Sequence, residues 1–180
     1  NGFRIFKAET PGPVAGKVEP RMKDTAKALY KIYLLITIVL FVLLYFAGMN
    51  VFDAVVHTLG VVGTGGFSSH ANSCAAYIDN SAILIIMSVF MVICGTNFSL
   101  YSRAVSGHWR DMFLDEEYRL YLKVVGGAVF LIALNLILAK RMSVGLGIRE
   151  SLFQVTSIIS TSGFASSDYD QWPGFSKCIL

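Results

Sequence analysis

The chain has 180 residues, of which 54% are hydrophobic and 15% charged, with a mean hydropathy of +0.60. Apolar residues gathered into long uncharged runs exclude an ordinary soluble domain and indicate a helical membrane protein. The net charge of +3 is too small and too uneven to indicate nucleic acid, and Cys74, Cys94 and Cys178 lack metal-type spacing and give no redox reading.

The first stretch, Asn1 to Lys31, carries Arg4, Lys7, Lys17, Arg21, Lys23, Lys27 and Lys31 and has no apolar core of a secretory signal. Pro11-Gly12-Pro13 and Pro20 keep its first part turned or extended. Residues 1–28 therefore read as a loop before the first span. The uncharged run Ile32 to Ala47 reads as long enough to span and is the first expected transmembrane helix.

Gly48-Met49-Asn50 ends that helix. Asn50 is a candidate N-cap, with Asp53 three residues on, and predicts a second helix to about Val62. An apolar segment of about a dozen residues cannot span a bilayer, which takes about 20. It can enter halfway and turn, leaving the glycine-rich run Gly63-Thr64-Gly65-Gly66-Phe67 at membrane depth. Irregular backbone is tolerated there only inside protein or along a water-filled cavity. The pattern predicts a re-entrant pore loop.

Ser68 to Asn80 is polar and free of Lys and Arg. Ala82 to Cys94 is the core of a second spanning helix, expected to continue through Gly95-Thr96-Asn97-Phe98 to about Ser102. Arg103 to Glu117 is a charged loop, and Leu120 to Ala139 the next span, with Lys123 able to snorkel. After Lys140-Arg141, Glu150 to Ile159 reads as a second short helix, followed by Ser160-Thr161-Ser162-Gly163-Phe164 and a polar stretch from Ala165 to Pro173. A new apolar run is starting at Ile179-Leu180, so an internal piece of a longer protein is expected.

Lys and Arg in short loops set orientation. The basic segments 1–31 and 103–123 are expected on the cytoplasmic side, and both short helices enter from outside. Lys140, Arg141, Arg149 and Lys177 dissent mildly. Tyr30, Tyr33, Tyr45, Trp109, Tyr118 and Tyr121 read as interface anchors.

Sliding the chain on itself so that Gly66 meets Gly163 lays Asp53–Ser69 over Glu150–Ser166. An acid opens each segment, and Thr64/Thr161, Gly66/Gly163, Phe67/Phe164 and Ser69/Ser166 coincide. Each copy sits between two spans. The fold class is thus an all-α polytopic membrane protein built of repeated helix–pore-loop–helix units with re-entrant half-helices. Residues 29–102 form one unit, 103–118 a cytoplasmic loop, and 119–180 a further unit short of its last helix.

The chemistry suits a monovalent cation. A half-helix directs its terminal carbonyls, carrying about half a negative charge, at the membrane centre. Extended small residues beyond it can present carbonyl oxygens that replace the hydration shell of potassium. Neither loop holds an acid, as a divalent site would, and neither has the Gly-Lys-Ser/Thr of a phosphate loop. His57, which aligns with Gln154, reads as a packed or hydrogen-bonded residue and not a ligand. His70 and His108 read as loop residues. Thr96 and Asn97 either line an inner vestibule or bond between helices. No acid, base, nucleophile and metal cluster converges, which argues against an enzyme.

VVGTGGFSSH and ISTSGFASSDY, each between spans, resemble the second and third pore repeats of the Trk/Ktr/HKT potassium transporters, and AETPGPV…PRMKDTAKALY resembles the segment before that span in the Trk branch. The resemblance covers essentially the whole chain. It implies four repeats around one pore, lined here by the carbonyls of Thr64, Gly65, Gly66, Phe67, Thr161, Ser162, Gly163 and Phe164. It places the gate, a broken inner helix, beyond Leu180. It implies potassium as cargo with no organic cofactor, a bacterial inner membrane, a homodimer, and a cytoplasmic nucleotide-binding regulatory subunit near the loop at Trp109 to Arg119. The competing readings are a sodium-permeable relative and a non-conducting membrane scaffold or receptor subunit.

Overall fold

The computed structural model describes residues 22–103, 109–140 and 142–180. Arg4, Lys7, Lys17, Arg21, the Pro11–Pro13 turn, Pro20, the AETPGPV segment, His108 and Arg141 lie outside the described residues.

Helix α1, Met22–Phe46, contains a segment, Ala26–Phe46, long and apolar enough to cross a bilayer. Leu40 and Leu44, one turn apart, are fully buried against the neighbouring helices, whereas Leu34, Leu35, Ile38 and Val42 face outward as a lipid-facing surface would. The helix ends where Gly48 takes a φ of 106°. The N–H groups of Gly48 and Met49 return to Tyr45 O and Leu44 O, closing the last turn as a left-handed C-terminal residue does.

Helix α2, Val51–Val62, starts where expected. The Asn50 side chain accepts the Asp53 N–H at 2.8 Å and donates to the Asp53 carboxylate at 2.7 Å, so the cap works in both directions. Twelve residues reach roughly 18 Å, little more than half the hydrocarbon thickness of about 30 Å.

Helix α3, Ser81–Cys94, stops earlier than expected, and α4, Phe98–Arg103, is a separate short helix. The break at Gly95-Thr96-Asn97 is stabilised by hydroxyls. Thr96 Oγ1 turns back on its own helix to Val92 O (3.0 Å), which also receives the Tyr121 hydroxyl (3.3 Å), while the Tyr101 hydroxyl meets Ile93 O (2.8 Å). These donors satisfy carbonyls that a helix end in apolar surroundings would otherwise leave unpaired. The Thr96 hydroxyl thus closes the end of α3 and also meets the Tyr101 hydroxyl of α4, the expected bond between helices.

After α5, Trp109–Leu114, helix α6, Glu116–Lys140, supplies the second segment long and apolar enough to cross, Glu116–Ala139. Helix α7, Val144–Ile159, begins six residues before the expected Glu150, because Ser143 caps it by accepting the Leu146 N–H. Glu150 thus lies in the second turn and does not open the helix. A short helix α8, Gly174–Ile179, closes the described chain.

Two apolar cores result. One joins α1, α2 and α3 with Phe153 and Phe164 from the second unit; the other joins α6 and α7 through Val125, Ile132, Leu136, Val155 and Trp172. Helix α7 also packs on α3, as α2 does, so both half-helices sit against the same helix.

Candidate functional site

The backbone of the two loops is the same fold written twice. At the end of α2, the N–H groups of Gly63 and Thr64 meet Leu59 O and Val61 O, and those of Gly65 and Gly66 both meet Gly60 O. At the end of α7, Ser160 and Thr161 meet Thr156 O and Ile158 O, and Ser162 and Gly163 both meet Ser157 O. Every one of these bonds maps onto its counterpart in the register that places Gly66 on Gly163.

The dihedral angles agree as well. Gly63 and Ser160 cap the helices at φ −83° and −81°. Thr64 and Thr161 then take φ 49° and 59°, and Gly66 and Gly163 take 65° and 77°. A left-handed β-branched residue is a genuine outlier, and such strain of about 1–3 kcal/mol persists only where surrounding structure over-determines it. Here it occurs twice, at matched positions. With their N–H groups turned back to the helix end, these residues leave their carbonyls free. Among the described residues no hydrogen-bond donor is directed at the carbonyls of Gly63 to Gly66 or of Ser160 to Gly163.

The two loops touch through their backbones. A Cβ placed on Gly66 would lie 1.9 Å from the Ser162 carbonyl oxygen, so only glycine allows this approach. Thr64, Gly65 and Gly66 thus stand beside Thr161, Ser162 and Gly163. The Phe carbonyls differ: Ser157 Oγ donates to Phe164 O at 2.6 Å, and Phe67 O is directed at the corresponding Gly60. Those two oxygens face the half-helices.

Each loop is then fastened on its far side. Ser69 Oγ donates to Asp53 Oδ1 at 2.5 Å, and Ser166 Oγ donates to Glu150 Oε2 at 2.6 Å. Both acids are buried. Asp53 Oδ2 also accepts from Asn50, His70 Nε2 (3.1 Å) and the Tyr77 hydroxyl. Hydrogen bonds from Ser69 and Tyr77 hold the Asp53 carboxyl well below the usual carboxylate range. His70 is therefore more than a loop residue. Glu150 Oε1 instead receives Arg149, whose other nitrogen donates to Ile78 O and Ser81 Oγ of the preceding unit, both at 2.8 Å. This pairing explains how Arg149, which dissented from the charge pattern, is accommodated.

A second pair of struts lies deeper. His57 Nδ1 donates to Asp53 O (2.8 Å), and in the neutral ring the Ser68 hydroxyl donates to Nε2 (3.0 Å). Gln154, the aligned residue, donates from Nε2 to Ser167 O at 3.2 Å. The expectation of a hydrogen-bonded histidine is met. The acid–serine fastening is not evident as a bond from the sequence. Its signal was present: both ends coincide in the repeat, sixteen residues apart in each copy.

Residues 1–180 match the family described as TrkH, cation transport protein. The chain is 36% identical to the Trk system potassium uptake protein TrkH of Escherichia coli (strain K12) over 186 residues, covering 99% of this chain and 38% of that protein. It is 36% identical to the protein of the same name from Halomonas elongata, covering 99% of this chain and 37% of that one. It superposes on the crystal structure of the potassium transporter TrkH from Vibrio parahaemolyticus with a TM-score of 0.84 and 34% identity, covering 92% of this chain and 36% of the other. The chain thus spans well under half the length of these relatives.

Proposed function

The chain belongs to the TrkH family of cation transport proteins, and from that premise we propose that its two half-helix loops are two walls of a potassium-selective filter. The lining residues in this reading are Thr64, Gly65 and Gly66 with Thr161, Ser162 and Gly163, through their carbonyls. Phe67 and Phe164 complete each loop, although their own carbonyls are turned toward the half-helices.

One observation carries the reading. Two loops of unlike sequence adopt one strained backbone, each with a run of carbonyls freed from internal bonding. In a segment at membrane depth, such carbonyls need an ion or water as partner. A dehydrated potassium ion held by several neutral oxygens suits them, and the absence of an acid within either loop keeps binding weak enough for release. The related proteins are named for potassium uptake.

Two walls do not enclose an axis. The filter is completed by further units of the longer protein, with the basic segments 1–31 and 103–123 on the cytoplasmic side of a bacterial inner membrane. A second copy of the chain and a cytoplasmic nucleotide-binding regulator are the partners in this reading, which rest on the family resemblance. The test is reconstitution of the full-length protein into vesicles with potassium and sodium flux measured separately. Potassium flux should exceed sodium flux. Equal fluxes would leave a sodium-permeable transporter, and no flux of either would leave a membrane scaffold.

A further inference from the structure

Each filter loop has two legs, and the structure secures them by different means. The inner leg, Gly63 to Gly66, is tied to the end of its half-helix by backbone bonds to Leu59, Gly60 and Val61. The outer leg, Phe67 to His70, has no such ladder. It is held by side chains reaching from the first two turns of α2: Asp53 to Ser69 and His70, and His57 to Ser68. The second loop repeats this with Glu150 to Ser166 and Gln154 to Ser167.

We propose that Asp53 and Glu150 are positioning residues for ion selection, each clasping the outer leg of its filter loop through a serine hydroxyl. This rests on the filter reading given above. Asp53 is not itself a cation ligand. It is 4% exposed, and four donors from Asn50, Ser69, His70 and Tyr77 already occupy its two oxygens. Glu150 is 2% exposed and filled by Arg149 and Ser166. Their negative charge is spent on protein donors, so their effect on the ion must travel through backbone geometry.

The route is short. Thr64 and Gly66 hold left-handed angles only three to five residues from Ser69. A strained backbone relaxes once one of its anchors is released. Relaxed carbonyls still coordinate ions but no longer hold the spacing that separates potassium from sodium. Supporting partners of a binding shell typically change its performance by about 10–100-fold when removed.

The clasps are also linked. Arg149, fixed by Glu150, donates to Ile78 O and Ser81 Oγ at the end of the segment that begins at Ser69. The Ala165 N–H, one residue before Ser166, donates to Ser73 Oγ in the same segment. Opening the Asp53 clasp therefore loosens the support of the second loop, whereas opening the Glu150 clasp leaves the His70 and Tyr77 contacts of the first intact. Asp53 is expected to be the more sensitive of the two.

The experiment uses the full-length protein in vesicles, with potassium and sodium flux measured for Asp53→Asn, Ser69→Ala, Ser69→Thr and Glu150→Gln. Asp53→Asn and Ser69→Ala should lower the potassium-to-sodium ratio by about tenfold or more while total flux is kept, and Ser69→Thr, which retains the hydroxyl, should stay within about twofold of the parent. Glu150→Gln should fall between. Ser69 is exposed, so Ser69→Ala remains informative where Asp53→Asn impairs insertion. A parent that selects potassium, together with a Ser69→Ala variant that selects it equally, overturns the clasp alone. A parent that does not select overturns the filter reading and this inference with it.

Discussion

Phe67 and Phe164 occupy the same place in two loops of the same backbone, yet Phe67 is 78% exposed and Phe164 1%. The Phe164 ring lies flat on His57 of the preceding unit, with centroids 5.8 Å apart and planes 21° from parallel, and its edge abuts Gly60. Among the described residues Phe67 has no such helix beneath it. The matched glycines show the opposite bias. Gly66 is closed off by the Ser162 carbonyl of the following unit, while a Cβ on Gly163 would meet nothing within 4 Å.

Both differences have one cause. The first unit offers its half-helix and its glycine to the second, and the second offers its phenylalanine to the first. Such head-to-tail contacts use two different surfaces and propagate in one direction, closing a ring when the rotation allows. The loop fold is therefore a local property of each sequence, and the burial of its residues is a property of the neighbour.

The largest effect should come from Gly66→Ala. A side chain at φ 65° and 1.9 Å from a backbone oxygen cannot be relieved by a rotamer change. A loss of about 3 kcal/mol or more in stability is expected, with potassium preference abolished. Gly163→Ala sharpens the comparison. In the full-length protein it should cost as much, if a further unit closes on Gly163 as the second closes on Gly66. If the cost stays near the conformational penalty of about 1–2 kcal/mol, Gly163 has no such neighbour. Thermal melting in detergent, read beside the flux ratio, separates these outcomes.

Next in size is Phe164→Ala, which empties a fully buried aromatic site and should destabilise by about 3–5 kcal/mol. Phe67→Ala in the full-length protein should match it to within about 1 kcal/mol, provided a preceding unit covers the ring. A change below about 0.5 kcal/mol, ordinary for a surface position, would show that Phe67 faces lipid or water and would break the head-to-tail argument.

The sequence carried the repeated fold well and the contacts between repeats poorly, for physical reasons. Helix α2 was legible at both ends, because Asn50 and Asp53 form a local cap and Gly63 a local stop. The matching of Gly66 to Gly163 was legible too, since they align inside otherwise variable text. The start of helix α7 is not legible, because Val144 to Arg149 has weak helical character and glycines follow the Ser143 cap. The end of α3 lies earlier than hydropathy indicates, because hydropathy cannot register a break stabilised by hydroxyls from Tyr101 on α4 and Tyr121 on α6. The roles of Arg149, His70 and Phe164 depend on neighbours in space, and no periodicity encodes them.

A smaller effect is expected where one copy has a serine and the other glycine. Ser157→Gly removes the hydroxyl that fixes Phe164 O and introduces glycine into a helix, so about 1–2 kcal/mol should be lost. The reciprocal Gly60→Ala places a methyl 2.8 Å from the Phe164 ring edge and 3.0 Å from Phe67 O. Overpacking of this kind costs about 1–3 kcal/mol. If Gly60→Ala proved neutral by thermal melting, the small residue there would not be required by the contact between units; if Ser157→Gly did, the hydroxyl would not be what fixes Phe164 O.

The smallest effect concerns the link between the first outer segment and the second loop. Ser73 sits at φ 54° and accepts the Ala165 N–H at 3.2 Å. Ser73→Ala keeps the backbone strain and removes the acceptor, so its cost isolates that hydrogen bond, about 0.5–1.5 kcal/mol. Ser73→Gly removes the same acceptor but relieves the left-handed strain, partly offset by the entropy of glycine, and should fall between the parent and the alanine variant. The order parent, glycine, alanine in melting temperature is the expected result. Should glycine prove the least stable, Ser73 is held left-handed by the segment around it at no cost, and the Ala165 bond is incidental. Should alanine match the parent, the Ala165 bond carries no load, and the outer segment reaches the second unit through Arg149.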